Sequence, residues 1–137
     1  MERGPLPLNV HAALEPLIGA VLIASPWIFG FSDVNEATIS CIVLGVLVIL
    51  TGMMTDWRVS LMRVIPIRTH FMADLTVALL LIVLPFILGF SDEGGATRFM
   101  VIAGVLEAIA ALSTRWSPRE ADEGRVGHRH GRSTPAH

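Results

Sequence analysis

A single cysteine, Cys41, stands in this chain. No disulfide can close within it, and no thiolate cluster can hold a metal. The redox state of its compartment is therefore unreadable, and a structural thiol packed in a helix is the expectation. Lysine is absent: all 10 basic residues are arginine, a bias that codon usage explains as well as chemistry. The formal net charge is −2, which argues against a nucleic-acid partner. Charge of either sign is scarce, at 16% of residues against 53% apolar. A soluble domain of this size must clothe its core in polar side chains, so the composition excludes that class.

The scarcity is sharpest in four runs, Leu17–Phe31, Ala37–Thr55, Leu75–Phe90 and Phe99–Thr114, which share one charged residue, Glu107. With their flanking turns they make helices of about 18 to 22 residues, roughly the 30 Å of a bilayer core. A transmembrane barrel would alternate over shorter segments, and these runs do not alternate. Helices also satisfy their own backbone groups in hydrocarbon.

The runs are organised by a duplication. His11 to Trp57 aligns with His70 to Trp116 without a gap, at an offset of 59 residues. Pro26/Pro85, Gly30/Gly89, Phe31/Phe90, Asp33/Asp92, Gly45/Gly104 and Trp57/Trp116 are among the matched pairs. Each unit is two apolar runs around a short acidic turn, which reads as a membrane-spanning hairpin. The first run follows Arg3 and resembles a leader, but its repeat partner lies deep in the chain, so it is expected to be retained. The fold class expected is all-α, with four transmembrane helices formed by two tandem parallel-repeat helical hairpins. The segments are an N-terminus at 1–10, repeat 1 at 11–57, an amphipathic loop at 58–69, repeat 2 at 70–116, and a disordered tail at 117–137.

Arginines set the expected topology. Arg58, Arg63 and Arg68 lie between the hairpins, Arg119, Arg125, Arg129 and Arg132 in the tail, and Arg3 at the N-terminus, whereas the turns inside the hairpins are acidic. The positive-inside rule then puts both termini and the central loop in the cytoplasm. With two spans per unit, the repeats are related by a pseudo-two-fold along the membrane normal, not by inversion. Glu15 and Asp74 are expected near the first turns of helices 1 and 3, where acids suit the helix dipole. Asp33 and Glu36 have capping-box spacing for helix 2. Trp57 and Trp116 are expected at the interface, and Leu61, Met62, Val64, Ile65 and Ile67 among the loop arginines suit the inner leaflet surface.

Ser25-Pro26-Trp27, with Gly30 and Asp33 following, stands near the outer end of helix 1; its second copy keeps Pro85, Phe86, Gly89 and Asp92. This motif in a duplicated hairpin resembles the SPW-repeat family of small bacterial membrane proteins. The resemblance implies a multi-pass protein of the bacterial inner membrane, with no established activity. Each proline frees the carbonyl four residues earlier, on Leu22 or Leu81, and Ser25 is placed to recapture one.

Glu107 is the costly residue, because a carboxylate at mid-bilayer costs a few kcal/mol even on permissive scales. It shares a face with Gly104, Ala108 and Ala111, a small-residue surface suited to close helix packing or to a homo-oligomer. Two readings stand: a proton-carrying carboxyl donating to a backbone carbonyl or to Thr51 or Thr76, and a proton or cation site on a transport path. His11 and His70 repeat at equivalent cytoplasmic entrances, where interfacial histidines are the favoured reading over a pH or metal site. No catalytic residues, cofactor, metal or ligand pair on one helical face is expected. A non-enzymatic structural or accessory component embedded in the lipid bilayer leads, with a small carrier centred on Glu107 as the alternative. A membrane enzyme survives as a third reading if His11, Glu15, His70 and Asp74 converge.

Overall fold

A computed structural model describes residues 4–56 and 60–116. It holds four helices, α1 Leu8–Ile28, α2 Asn35–Met54, α3 Ile67–Ile87 and α4 Gly94–Ser113, all long and apolar enough to cross a membrane. Each spans about 30 Å at 1.5 Å per residue. The tail and Trp57 lie outside the described residues.

The duplication read from the sequence is a duplication of structure. α1 packs on α2 and α3 on α4, giving two hairpins. Each hairpin crosses where a side chain is missing. A Cβ on Gly45 would lie 2.6 Å from the carbonyl oxygen of Gly19, and one on Gly104 would lie 2.6 Å from that of Ala78. These are equivalent positions, so backbone-to-backbone approach sets both crossings. Between the hairpins a core of Leu22, Leu44, Val48, Leu81, Met100, Phe31 and Phe90 is buried. Cys41 lies in that core, fully buried, as a packed thiol. Leu17, Ile39, Leu79 and Leu112 are more than half exposed on the outside. That inversion of the soluble pattern is what lipid as solvent permits.

The repeat motif ends the odd-numbered helices. Gly30 and Gly89 take positive φ, 72° and 77°, and the N–H groups of Phe31 and Phe90 return to the carbonyls of Pro26 and Pro85 at 2.8 and 3.0 Å. Glycine tolerates the left-handed conformation, and the backward bond satisfies a carbonyl that the finished helix leaves open. The Ser25 hydroxyl donates to Leu22 O at 2.7 Å, as its position beside Pro26 suggests. Trp27, Phe86, Asp33 and Asp92 are exposed, so the motif is a helix-ending device flanked by rings that face outward.

Two expectations about helix ends fail. α2 starts at Asn35 with Val34 as cap and no side-chain cap bond, so Asp33 and Glu36 form no capping box. Thr38 and Thr97 instead donate from the next helix to Phe31 O and Phe90 O. The acids are also deeper than expected. Pro7 and Pro66, whose fixed φ suits a helix start, begin α1 and α3 about a turn before His11 and His70. Glu15 and Asp74 therefore sit in the second turn, beyond the reach of the end charges.

At the end where α1 and α3 begin, two short bridges tie one hairpin to the other. Leu6 pairs with Thr114, and Ile65 pairs with Thr55. These pairs too are related by the repeat. Beside the second bridge, Leu61, Met62 and Val64 are exposed.

Candidate metal centre

His11 and Glu15 are one helical turn apart on α1, and His70 and Asp74 hold the same relation on α3. Side chains at i and i+4 share a face, so each odd-numbered helix carries a histidine–carboxylate pair, contrary to the expectation of no ligand pair on one face. The pseudo-two-fold axis passes between the two helices and brings the pairs together. Nε2 of His11 lies 3.0 Å from Glu15 Oε1 and 3.2 Å from Asp74 Oδ2; Nε2 of His70 lies 3.1 Å from Asp74 Oδ1 and 3.8 Å from Glu15 Oε2. One donor atom from each of the four residues falls within 4.8 Å of all the others.

The quartet is buried, each residue being at most 3% exposed. The histidines thus do not face the surroundings at the helix entrances, because the bridges and Trp116 close over them. Trp116 is itself buried, with its ring centroid 5.1 Å from that of His11 and 6.0 Å from that of His70. Its Nε1–H donates to Ala111 O at 2.7 Å. The expected interfacial indole is therefore a roof.

The outer nitrogens of both rings are held across the repeat. Thr114 Oγ1 lies 3.1 Å from His11 Nδ1, and Thr55 Oγ1 lies 2.8 Å from His70 Nδ1. Each threonine hydroxyl already donates its proton to a carbonyl one turn back, Ala110 O at 2.7 Å and Thr51 O at 2.6 Å. A hydroxyl has one hydrogen, so toward the imidazole it accepts. Nδ1–H is therefore the donor on both rings, and both Nε2 atoms turn inward. A hydrogen-bonded outer nitrogen is the usual support of a metal-bound histidine.

The acid lengths differ and the opposing positions compensate. A Cβ on Gly52 would come within 3.1 Å of the Glu15 Cβ, so glycine admits the longer acid. The equivalent position facing the shorter Asp74 is Ala111, fully buried. Both carboxylate oxygens of Glu15 are buried without a hydrogen bond of good geometry, although they lie in ion-pair contact with the histidines.

The separations lie near those of a tetrahedral site. Two donors each about 2.0–2.1 Å from a shared tetrahedral centre are about 3.4 Å apart. The four nitrogen–oxygen separations run from 3.0 to 3.8 Å through both oxygens of each carboxylate, and one donor atom per residue lies within 4.8 Å of the others, so an ion would draw the ligands slightly inward. Two imidazoles and two carboxylates suit a divalent transition metal, zinc foremost. Two carboxylates, each carrying one negative charge, against one dication would leave the buried centre neutral, which limits its desolvation cost.

Glu107 is placed as its helix face predicts, 5% exposed and turned into the bundle. It lies seven residues from Thr114 on the same face of α4, about 10 Å deeper, and within electrostatic reach of the quartet. Its expected partners are occupied elsewhere: Thr51 donates to Leu47 O and Val48 O, and Thr76 to Met72 O. Glu107 Oε1 has no hydrogen bond. Gly104 and Ala111 of the small-residue face are buried within the chain, Gly104 against α3. Ser25, Pro26 and Pro85 lie at the far end of the bundle, about 21 Å from His11 along α1. The quartet and the motif are separate features.

A family model described as SPW repeat domain matches residues 9–114. Neither the curated proteins nor the solved structures yielded a match.

Proposed function

The chain belongs to the SPW repeat domain family, and from its four spans and the quartet they carry we propose that it is a membrane protein that holds one divalent transition-metal ion between its hairpins. The observation that carries this is the convergence of four buried ligand atoms, with both outer histidine nitrogens held by threonine. The residues would act as follows. His11 and His70 would supply Nε2 lone pairs, and Glu15 and Asp74 one carboxylate oxygen each. Because every ligand comes from α1 or α3, the ion would staple one repeat to the other. That role suits a closed, protein-ligated structural site and a non-enzymatic structural or accessory component.

A carrier reading centred on Glu107 has less support. Beyond Glu107 the buried face of α4 continues with Gly104, Met100 and Ala96, which offer a proton or hard cation no further side-chain oxygen or nitrogen. In the orientation we propose, both termini and the quartet lie on the cytoplasmic side of a bacterial inner membrane. The arginine distribution supports this.

The test is metal uptake by protein purified through a tag without histidine and stripped with a chelator. Zinc titration should show one tight site per chain, weakened at least about a hundredfold in His11→Ala and in His70→Ala. No stoichiometric uptake, or equal uptake by the double alanine variant, would refute the proposal.

A further inference from the structure

The pseudo-two-fold is broken where the two hairpins meet. It relates the seam between α2 and α3 to the seam between α4 and α1. The α2–α3 seam is closed by packed side chains, with Val48 and Val77 both in the core. At the α4–α1 seam Val48 is replaced by Glu107, and the helices part to leave a groove of about 820 Å³. Leu17, Val21, Phe99, Ile102 and Leu106 are among its walls, and Glu107 reaches it from within. Leu17, Ile102 and Leu106 are each about 60% exposed on the outer surface of the bundle, so the groove opens sideways, toward hydrocarbon. Its size is that of a small-molecule site.

We propose that this groove binds a neutral, lipid-soluble molecule with a carbonyl-bearing head and a hydrocarbon tail, the head accepting a hydrogen bond from Glu107. The walls match the tail. The head is required by Glu107 Oε1, a carboxyl oxygen on a residue 95% buried that has no hydrogen-bond partner in the protein. A plain acyl chain in the groove would leave that oxygen unsatisfied, which a buried polar group rarely is. Neutrality follows from the route. An occupant entering through hydrocarbon pays heavily for a charge and little for a carbonyl. The inference does not depend on the metal centre, which uses other residues.

The test uses the full chain in lipid nanodiscs, with a decyl-substituted benzoquinone as the carbonyl probe and decylbenzene as its headless counterpart. Bound probe is counted by mass spectrometry of the intact complex. The quinone should bind once per chain, at least tenfold more tightly than decylbenzene. Glu107→Leu should weaken the quinone about tenfold, the loss of one hydrogen bond to a buried group. Glu107→Gln, whose amide still donates, should stay within about threefold. A melting temperature in detergent close to that of the wild type in both variants reports an intact fold separately. No quinone binding, equal binding of the two probes, equal binding by wild type and Glu107→Leu, or equal loss in Glu107→Gln and Glu107→Leu would each overturn the proposal.

Discussion

Replacing Thr55 and Thr114 by valine removes two hydroxyls while keeping the shape of both side chains. In the wild type these oxygens lie 2.8 and 3.1 Å from the outer nitrogens of His70 and His11. Valine leaves each Nδ1–H facing a methyl group in a site where the rings are at most 2% exposed. A buried donor deprived of its acceptor costs about 1–3 kcal/mol, and 1.4 kcal/mol is tenfold in affinity. Each single variant should therefore bind zinc roughly ten- to a hundredfold more weakly, in line with other losses of support behind a metal-bound histidine. The two sites are related by the repeat, so the two losses should be similar. The double variant should fall short of or exceed their product, because both act on one ion. Competition against a zinc-sensitive dye reads all three. Unchanged affinity in both single variants would refute the reasoning, since it would mean that the threonines do not orient the ligands.

Three further outcomes are expected. Gly52→Ala places a methyl 3.1 Å from the Glu15 Cβ, so it should weaken zinc binding by pushing Glu15 from the quartet, whereas Gly95→Ala, whose Cβ meets nothing within 4 Å, should leave it unchanged. Gly45→Ala places a Cβ 2.6 Å from the Gly19 carbonyl; the helices must part, at a cost of about 1–3 kcal/mol, seen as a lower melting temperature in detergent. Zinc affinity should fall as pH falls, because protons compete for the imidazole and carboxylate lone pairs; an affinity flat from pH 8 to pH 5.5 would contradict ligation by these groups.

The helices, their pairing and their parallel repeat were legible because each rests on a strong local signal. Charge-free runs fix span length, and the constant offset between His11 and His70 or Pro26 and Pro85 fixes the internal symmetry. The histidine–carboxylate quartet was half legible. His11-to-Glu15 and His70-to-Asp74 spacing marks one face of each odd-numbered helix, and equivalence under a two-fold axis leaves open how far each pair stands from it. That distance is set by tertiary packing, through the Gly45 and Gly104 crossings and the bridges at Leu6 and Ile65. Thr55 and Thr114 carried no signal of their own except being matched in the repeat. The helix starts were misjudged by a turn, since Pro7 and Pro66 lie outside the charge-free runs. That error put Glu15 and Asp74 at helix ends and the histidines at the interface. Glu107 was legible in its direction and not in its surroundings, which depend on the α4–α1 seam opening where the α2–α3 seam closes.

X-ray absorption at the zinc edge of the loaded protein tests the central claim most directly. The account predicts two imidazole nitrogens and two carboxylate oxygens at about 2.0–2.1 Å, with the outer-shell scattering of two rings lost in the His11→Ala, His70→Ala double variant. A first shell of oxygen alone, without imidazole scattering, would contradict it.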